Sequence, residues 1–528
     1  MSISTLLFGF SNNNVLNFEK RCLNQLKKFF KVLKIKDVSF LVKKPTDLHD
    51  MLKICLDEYQ DSIAFSFGNK QISYRQFYYD VANFASSNLE KFKNKNVLMI
   101  GDSSYRWAVC YFSVVISAGV AILASQRVID NITSLVRTYD VSTVVDLSCK
   151  CKPLDDMDFL SFVDIKTQTN ISEDFFVPSL DPDQVCTILF TSEETEKNKG
   201  IMLSHKNLCC SAFAGGIETR FCKKGEIYLN VLPFFHAYGL IGSLLAPFLG
   251  GGKTHFGRRI QKIFTDLPSV KPTSLSLVPK TVYTILSRLE QNSNNPNEIT
   301  GGRLKRIICE STGLKEGVVE KFRKFGIWLA EGYGISEYSW VVCVNGKENF
   351  KDGSLGQPIS CNKVKIAEES SEILVKGDNV MCGYHDDPEI TKKVIKDGWF
   401  HTGDTGFIDS DGFLYFTGKI ENLIVLEDGK KVNPEELEKI LEANQEIDEC
   451  LIYGNNENGK VMITAKIYAK NRRSDLCEVV GQIIASKNRN LPAFKRVMRF
   501  ELLNKPLEKT AFGKYERDLE ILINRQII

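Results

Sequence analysis

Thr191, Ser192 and Thr195 place hydroxyls between an apolar run, Val185 to Phe190, and the pair Lys199-Gly200. Such an order can hold an anion: a strand delivers the chain to a loop whose backbone N–H groups, hydroxyls and lysine face phosphate oxygens. The glycines that would let the backbone wrap a phosphate are missing, however, and Glu193, Glu194 and Glu196 occupy the turn. Four further segments carry chemically able side chains. His236 follows Pro233-Phe234-Phe235, Glu337 closes Glu331-Gly332-Tyr333-Gly334-Ile335-Ser336-Glu337, Asp404 closes His401-Thr402-Gly403-Asp404, and Lys514 lies in Lys509-Thr510-Ala511-Phe512-Gly513-Lys514-Tyr515-Glu516-Arg517. Singly these signals are weak. A histidine among aromatics is commonly packed, a C-terminal lysine is commonly solvated, and a glycine-rich stretch is commonly a turn.

In this order the segments resemble the signature motifs of the acyl-adenylate-forming (AMP-binding) enzymes. That superfamily comprises acyl- and aryl-CoA synthetases, luciferases and peptide-synthetase adenylation domains. Phe190, Thr191, Ser192, Thr195, Lys199 and Gly200 match its phosphate loop. Glu193 and Glu196 stand where it has glycines, Glu194 where it has Ser or Thr, and Asn198 where it has Pro. The stretch from Glu421 to Glu438 is similar to the long-chain acyl-CoA synthetase version. The resemblance runs from about residue 47 to 520.

The resemblance implies ATP-dependent activation of a carboxylic acid to an acyl-adenylate, then transfer to the thiol of CoA or of a carrier-protein phosphopantetheine. It implies Tyr333 and Gly334 near adenine, Ser336 at phosphate, Glu337 on Mg²⁺, Asp404 on the ribose hydroxyls and Lys419 at ribose or phosphate. It implies His236 lining the acyl pocket, Glu421 at a hinge, Gly429 on the face that guides pantetheine, and Lys514 as the catalytic lysine. Lys419 replaces the usual Arg, which keeps charge but gives up the bidentate fork. Tyr338 and Trp340 stand where relatives often have small residues. Turned inward they would shorten the acyl tunnel; otherwise they are core.

The departures gather in one loop. Replacing glycine adds a Cβ where the backbone must approach the ligand. Each carboxylate about 4 Å from a like charge costs on the order of 4 kcal/mol at an effective dielectric near 20, before screening. Thr191 with Glu194 three residues on is also a capping-box pattern, with lysines and Gly200 to close it. Residues 192 to 199 are therefore expected to form a helical turn or a solvated loop pointing away from the nucleotide. Two functions follow: an active ligase, or a catalytically impaired homologue binding nucleotide, acyl group or a partner enzyme.

The elements that must position these residues read as α/β. Strand candidates are Val97 to Ile100, Val120 to Leu123, Thr143 to Val145, Val185 to Phe190, Ile227 to Leu232 and Ser274 to Val278. They alternate with amphipathic helices such as Leu48 to Tyr59, the pattern of mainly parallel sheets. Gln291 to Asn297 reads as a solvated loop. Past residue 350 short strands between turns read as a β-rich subdomain, then a βα-rich tail in which Asn433 caps a helix begun by Pro434. The expected organisation is multidomain α+β: an extension (1–46) with an amphipathic helix from Asn17 to Lys36, a large adenylation domain (47–418), and a small mobile lid domain (419–528).

The 528 residues are 43% hydrophobic and 25% charged, as in ordinary globular proteins. A net charge of +3 gives no nucleic-acid footprint. The 15 cysteines are scattered without CxxC pairs and read as reduced cytoplasmic thiols. Trp107 to Ala124 is apolar, but Gly119 divides it into helix and strand, so no transmembrane segment is expected. The basic face of the N-terminal helix leaves peripheral membrane contact open.

Overall fold

The computed structural model describes residues 42–152, 157–161, 177–191, 199–310, 314–315, 317–347, 349–457, 460–469, 471, 473–508, 515 and 517. The expected helix from Asn17 to Lys36 lies outside them. The fold is mixed α/β, and the chain divides into two compact units.

The first unit holds α1 (Leu48–Tyr59), whose N-cap Asp47 accepts from the N–H groups of His49 and Asp50. Leu48, Met51, Leu52, Cys55 and Tyr59 recur at helical spacing and, with Ile54, are the residues it buries. Strands β1 (Asn96–Ile100), β2 (Val120–Ala124) and β3 (Val141–Asp146) pair in parallel with β1 in the centre. Between β1 and β2 runs α2 (Tyr105–Ile116), every residue of which is buried except Arg106. The apolar run is thus a core helix and strand. At Gly119 a Cβ would meet the Phe92 carbonyl oxygen at 2.5 Å, so only glycine fits the corner between them. Among the described residues no helix is long and apolar enough to cross a membrane.

Helix α3 (His205–Ala212) opens with a capping box between Ser204 and Asn207. Its first residue, His205, is 1% exposed and accepts the Leu48 N–H at Nδ1, 3.4 Å away. Burial holds its pKa down at about 4. The folded imidazole therefore stays neutral while an unfolded one would take a proton below about 6.5. Stability from this group is complete above pH 6.5 and is lost as pH falls toward 4, on the order of 3 kcal/mol in all. His205→Gln, whose amide oxygen can still accept from Leu48, should flatten the melting temperature between pH 6.5 and 4. Parallel pH profiles for variant and wild type would refute this.

The second unit holds most of β4 (Val185–Phe190) and β5 (Gly200–Ser204), and parallel β6 (Ser274–Leu277), β7 (Arg306–Glu310) and β8 (Trp328–Tyr333). Antiparallel β9 (Cys343–Val344) returns along β8. The core on these strands includes Leu275, Leu277, Val282, Ile285, Ile307, Phe322 and Leu329. Val278 takes the N-cap position of the helix Pro279–Gln291 instead of ending a strand, and Pro296 starts a short helix, Pro296–Thr300, inside what the sequence presents as loop.

Beyond residue 350, β10 (Glu372–Gly377), β12 (Trp399–Ile408) and β13 (Leu414–Lys419) form an antiparallel sheet, while β11 (Gly383–Tyr384) pairs with β5. Residues 424–502 build a hydrophobic cluster of their own around α4 (Pro434–Glu442). Asn433 is the N-cap of α4, but its side chain does not cap: its Nδ2 donates to Thr405 Oγ1 at 3.0 Å.

Candidate active site

Strand β8 delivers Tyr333 to the carboxyl end of the parallel strands, the end of an open α/β sheet at which ligands gather. Tyr333 is 2% exposed, and its hydroxyl donates to Asp404 Oδ2 at 2.7 Å across 71 residues of sequence. Burial, and then the Asp404 carboxylate, push the phenol pKa far up, so Tyr333 is the donor.

Asp404 is held by its own strand. Its N–H donates to Thr402 Oγ1 at 3.1 Å, and that hydroxyl donates to the Ile373 carbonyl at 2.7 Å. Gly403 has φ +72, and its N–H donates to Glu372 Oε1 at 3.0 Å. Glu372 Oε2 lies 2.9 Å from His401 Nδ1. Lys419 stands directly opposite Asp404 in the β12–β13 register. Its ammonium lies 3.1 Å from Glu421 Oε1, so the expected nucleotide contact and hinge residue pair with each other.

From Gly334 the chain makes a tight return. A Cβ at Gly334 would lie 1.5 Å from the Trp340 carbonyl oxygen, so glycine is required for the close approach. Ser339 and Trp340 take positive φ, +46 and +93. Two buried amides hold this loop: Asn379 Nδ2 donates to the Tyr338 and Val341 carbonyls, and Asn362 Nδ2 to those of Val341 and Val342. Tyr338 is fully buried, edge-on to Phe400. Trp340 is 4% exposed and stacks on Tyr238, centroids 6.1 Å apart at 14°. Both rings are therefore buried.

Ser336 and Glu337 begin a 3₁₀ turn, both partly exposed. Tyr384 on β11 donates its hydroxyl to Glu337 Oε1 at 2.9 Å, and the Met381 N–H donates to the Glu337 carbonyl at 2.9 Å. The phosphate-loop segment enters and leaves through a paired neck. Thr191 N–H donates to the Lys199 carbonyl at 3.1 Å, and Lys199 N–H to Thr191 Oγ1 at 3.2 Å. Lys199 Nζ then lies 5.2 Å over the Tyr384 ring centroid.

Tyr333, Asp404 and Lys419 are thus brought together, and Glu337 and Lys199 meet at Tyr384. His236 is half-buried beside Phe235, and Tyr238, two residues on, reaches Trp340. Gly429, φ +77, closes the hairpin turn between Val425 and Lys431 in open space. Ser192, Thr195, Lys514 and the expected helical turn over 192–199, save Lys199 itself, lie outside the described residues. Sequence reasoning overlooked Tyr384, Glu372, Asn362 and Asn379, none of which carries a distinctive local pattern.

Mg²⁺ takes one or two carboxylates plus phosphate oxygens. The half-exposed Glu337, with Oε1 held and Oε2 outside that bond, suits this. Among the described residues no group of three or more His, Cys, Asp or Glu could hold a metal alone.

Comparison with known proteins gives matching results. The AMP-binding enzyme family matches residues 53–385, and the AMP-binding enzyme C-terminal domain matches residues 421–519. A long-chain-fatty-acid–CoA ligase of Bacillus subtilis is 30% identical over 365 residues, covering 65% of this chain and 62% of that protein. An oxalate–CoA ligase of Arabidopsis thaliana is 28% identical over 355 residues, covering 64% and 67%. The chain spans only 49% of another relative, the peroxisomal long chain acyl-CoA synthetase 6 of the same plant. ATP-bound MatB from Rhodopseudomonas palustris shares the fold at TM-score 0.77, 22% identity and coverage of 91% of this chain and 99% of that one. O-succinylbenzoate Coenzyme A synthetase from Bacillus subtilis, in complex with ATP and magnesium ion, does so at TM-score 0.73, 18% identity and coverage of 88% and 98%.

Proposed function

The chain belongs to the AMP-binding enzyme family, and from that premise we propose that it is an AMP-forming acid–thiol ligase. One observation carries the reading: the hydrogen bond between Tyr333 and Asp404, which joins two motifs distant in sequence. The ring of Tyr333 would flank adenine, and Asp404 would accept from the ribose hydroxyls. Ser336 and the loop hydroxyls of Thr191, Ser192 and Thr195, with Lys199, would meet phosphates.

In the first half-reaction a carboxylate oxygen attacks the α-phosphorus of ATP. The bond to pyrophosphate breaks, leaving an acyl-adenylate. No covalent enzyme nucleophile is needed; positioning and cationic stabilisation carry the step. Mg²⁺, held by Glu337 and phosphate oxygens, would neutralise charge on the polyphosphate. Lys514 would serve the carboxylate and α-phosphate. A thiol then attacks the acyl carbon and AMP leaves, with the acyl group on sulfur.

His236 would line the acyl side, Lys419 would face ribose or phosphate across from Asp404, and Gly429 would guide a pantetheine arm. The organisation that suits this chemistry is an extension (1–46), an adenylation domain (47–418) and a lid (419–528) that turns near Lys419 to Glu421. We place the protein in the cytoplasm, with CoA as acceptor and a carrier protein as the second candidate. The relatives named above act on acids as different as oxalate and long-chain fatty acids by their names, so the acid must be found by experiment.

Acid-dependent ATP–pyrophosphate exchange over short, aryl and long-chain acids tests the reading. Exchange with one class establishes adenylation and names the acid. No exchange with any acid, from folded protein, would favour the impaired homologue instead.

A further inference from the structure

We propose that Tyr384 is a positioning residue that sets the carboxylate of Glu337 for Mg²⁺ and the ammonium of Lys199 for nucleotide phosphate. The inference rests on the ligase reading and deepens it. Three contacts meet at this one residue, two of them made by its side chain. Its hydroxyl donates to Glu337 Oε1 at 2.9 Å, its ring lies 5.2 Å beneath Lys199 Nζ, and its N–H is tied to Thr391 Oγ1 at 2.9 Å.

The backbone around Tyr384 is fastened on both sides. Tyr384 pairs with Ile201 and Gly383 with Met202 on the strand that leaves the phosphate loop. The Cys382 N–H donates to the Met202 carbonyl at 2.8 Å, and the His385 N–H to that of Gly200 at 2.7 Å. On the other side the Met381 N–H holds the carbonyl of Glu337 at 2.9 Å. Residues 381–385 therefore connect the exit of the phosphate loop to the metal carboxylate, and Tyr384 is the side chain that engages both ends.

The consequence follows from the chemistry of each contact. A glutamate has three side-chain torsions to order before it can bind a cation. The Tyr384 hydroxyl fixes one oxygen, orients the carboxylate plane and leaves Oε2 for the metal. A carboxylate oxygen can only accept, so in this bond the hydroxyl is the donor. The ring face meanwhile holds Lys199 near that carboxylate without neutralising it by direct contact.

The test is calorimetric binding of a non-hydrolysable ATP analogue to the full chain, titrated with Mg²⁺ and repeated in EDTA. Tyr384→Phe keeps the ring under Lys199 and removes only the donor. It should raise the Mg²⁺ concentration for half-maximal binding about tenfold, as loss of a partner behind a metal ligand does, and leave metal-free binding within twofold. Tyr384→Leu removes both contacts and should weaken metal-free binding as well. Glu337→Gln leaves Tyr384 intact and should raise the Mg²⁺ requirement at least as much. A Tyr384→Phe protein with a wild-type Mg²⁺ requirement overturns the assignment while leaving the ligase reading standing. A wild-type chain that binds no nucleotide with Mg²⁺ overturns the ligase reading, and the inference with it.

Discussion

Lys514→Ala should lower acid-dependent ATP–pyrophosphate exchange by about 10²–10³, the usual cost of removing one group aimed at transition-state charge. Nucleotide binding, measured separately, should change by less than tenfold. The reason lies in where charge develops. As the carboxylate approaches the α-phosphate, two anions converge, and a cation placed between them is worth most at the point of closest approach. On the proposed reading Tyr333, Asp404 and Glu337 would serve the bound nucleotide in ground and transition state alike, so their contacts could not substitute. Lys514→Arg keeps the charge but spreads it over a planar fork, and should restore only part of the rate. Exchange within tenfold of wild type in the alanine variant would remove Lys514 from the mechanism. A loss of binding equal to the loss of rate would make it a binding residue instead.

The sequence made the supports of the site legible where one local rule was enough. Helix α1 begins and ends where Asp47 and the apolar spacing require, and β4 covers the β-branched and aromatic run from Val185 to Phe190. Reading failed where a residue's role was decided by its neighbours. Val278 looks like a strand end but takes the N-cap position of a helix, because Pro279 fixes the backbone for the first helical turn. The motif residues Tyr333, Glu337 and Asp404 could be picked out by type and spacing. The groups that orient them could not. Tyr384 is an ordinary tyrosine until β11 pairs with β5, and Glu372 is one more surface-like acid until β12 brings the Gly403 N–H to it. Such contacts depend on strand register, which no local pattern of a single chain encodes.

Arg517→Ala should cost about 3–5 kcal/mol of stability at pH 8, the usual result of leaving one charge of a buried pair without its partner. Arg517 Nη2 donates to both oxygens of Glu438, at 2.7 and 2.9 Å, and Nη1 donates to the Ile452 carbonyl at 2.9 Å. Glu438, on α4, is 5% exposed and also accepts the Ile452 N–H at 2.7 Å. Even with Arg517 present, burial pushes the Glu438 pKa up to about 7. The sign of the pH dependence follows. The folded pKa lies above the ordinary 4.5, so burying the charged form opposes folding most at high pH, and that cost fades as pH falls toward 4.5. Removing Arg517 takes away the cation that favours the charged form, so the folded pKa rises further and the deficit should be smaller at pH 6 than at pH 8. Urea unfolding at both values measures it, and equal deficits would contradict the argument. Arg517→Met with Glu438→Leu, which replaces the pair by apolar groups, should recover most of the loss. The Tyr515 hydroxyl bonds Glu442 on α4, so residues 515 and 517 both fasten to that helix.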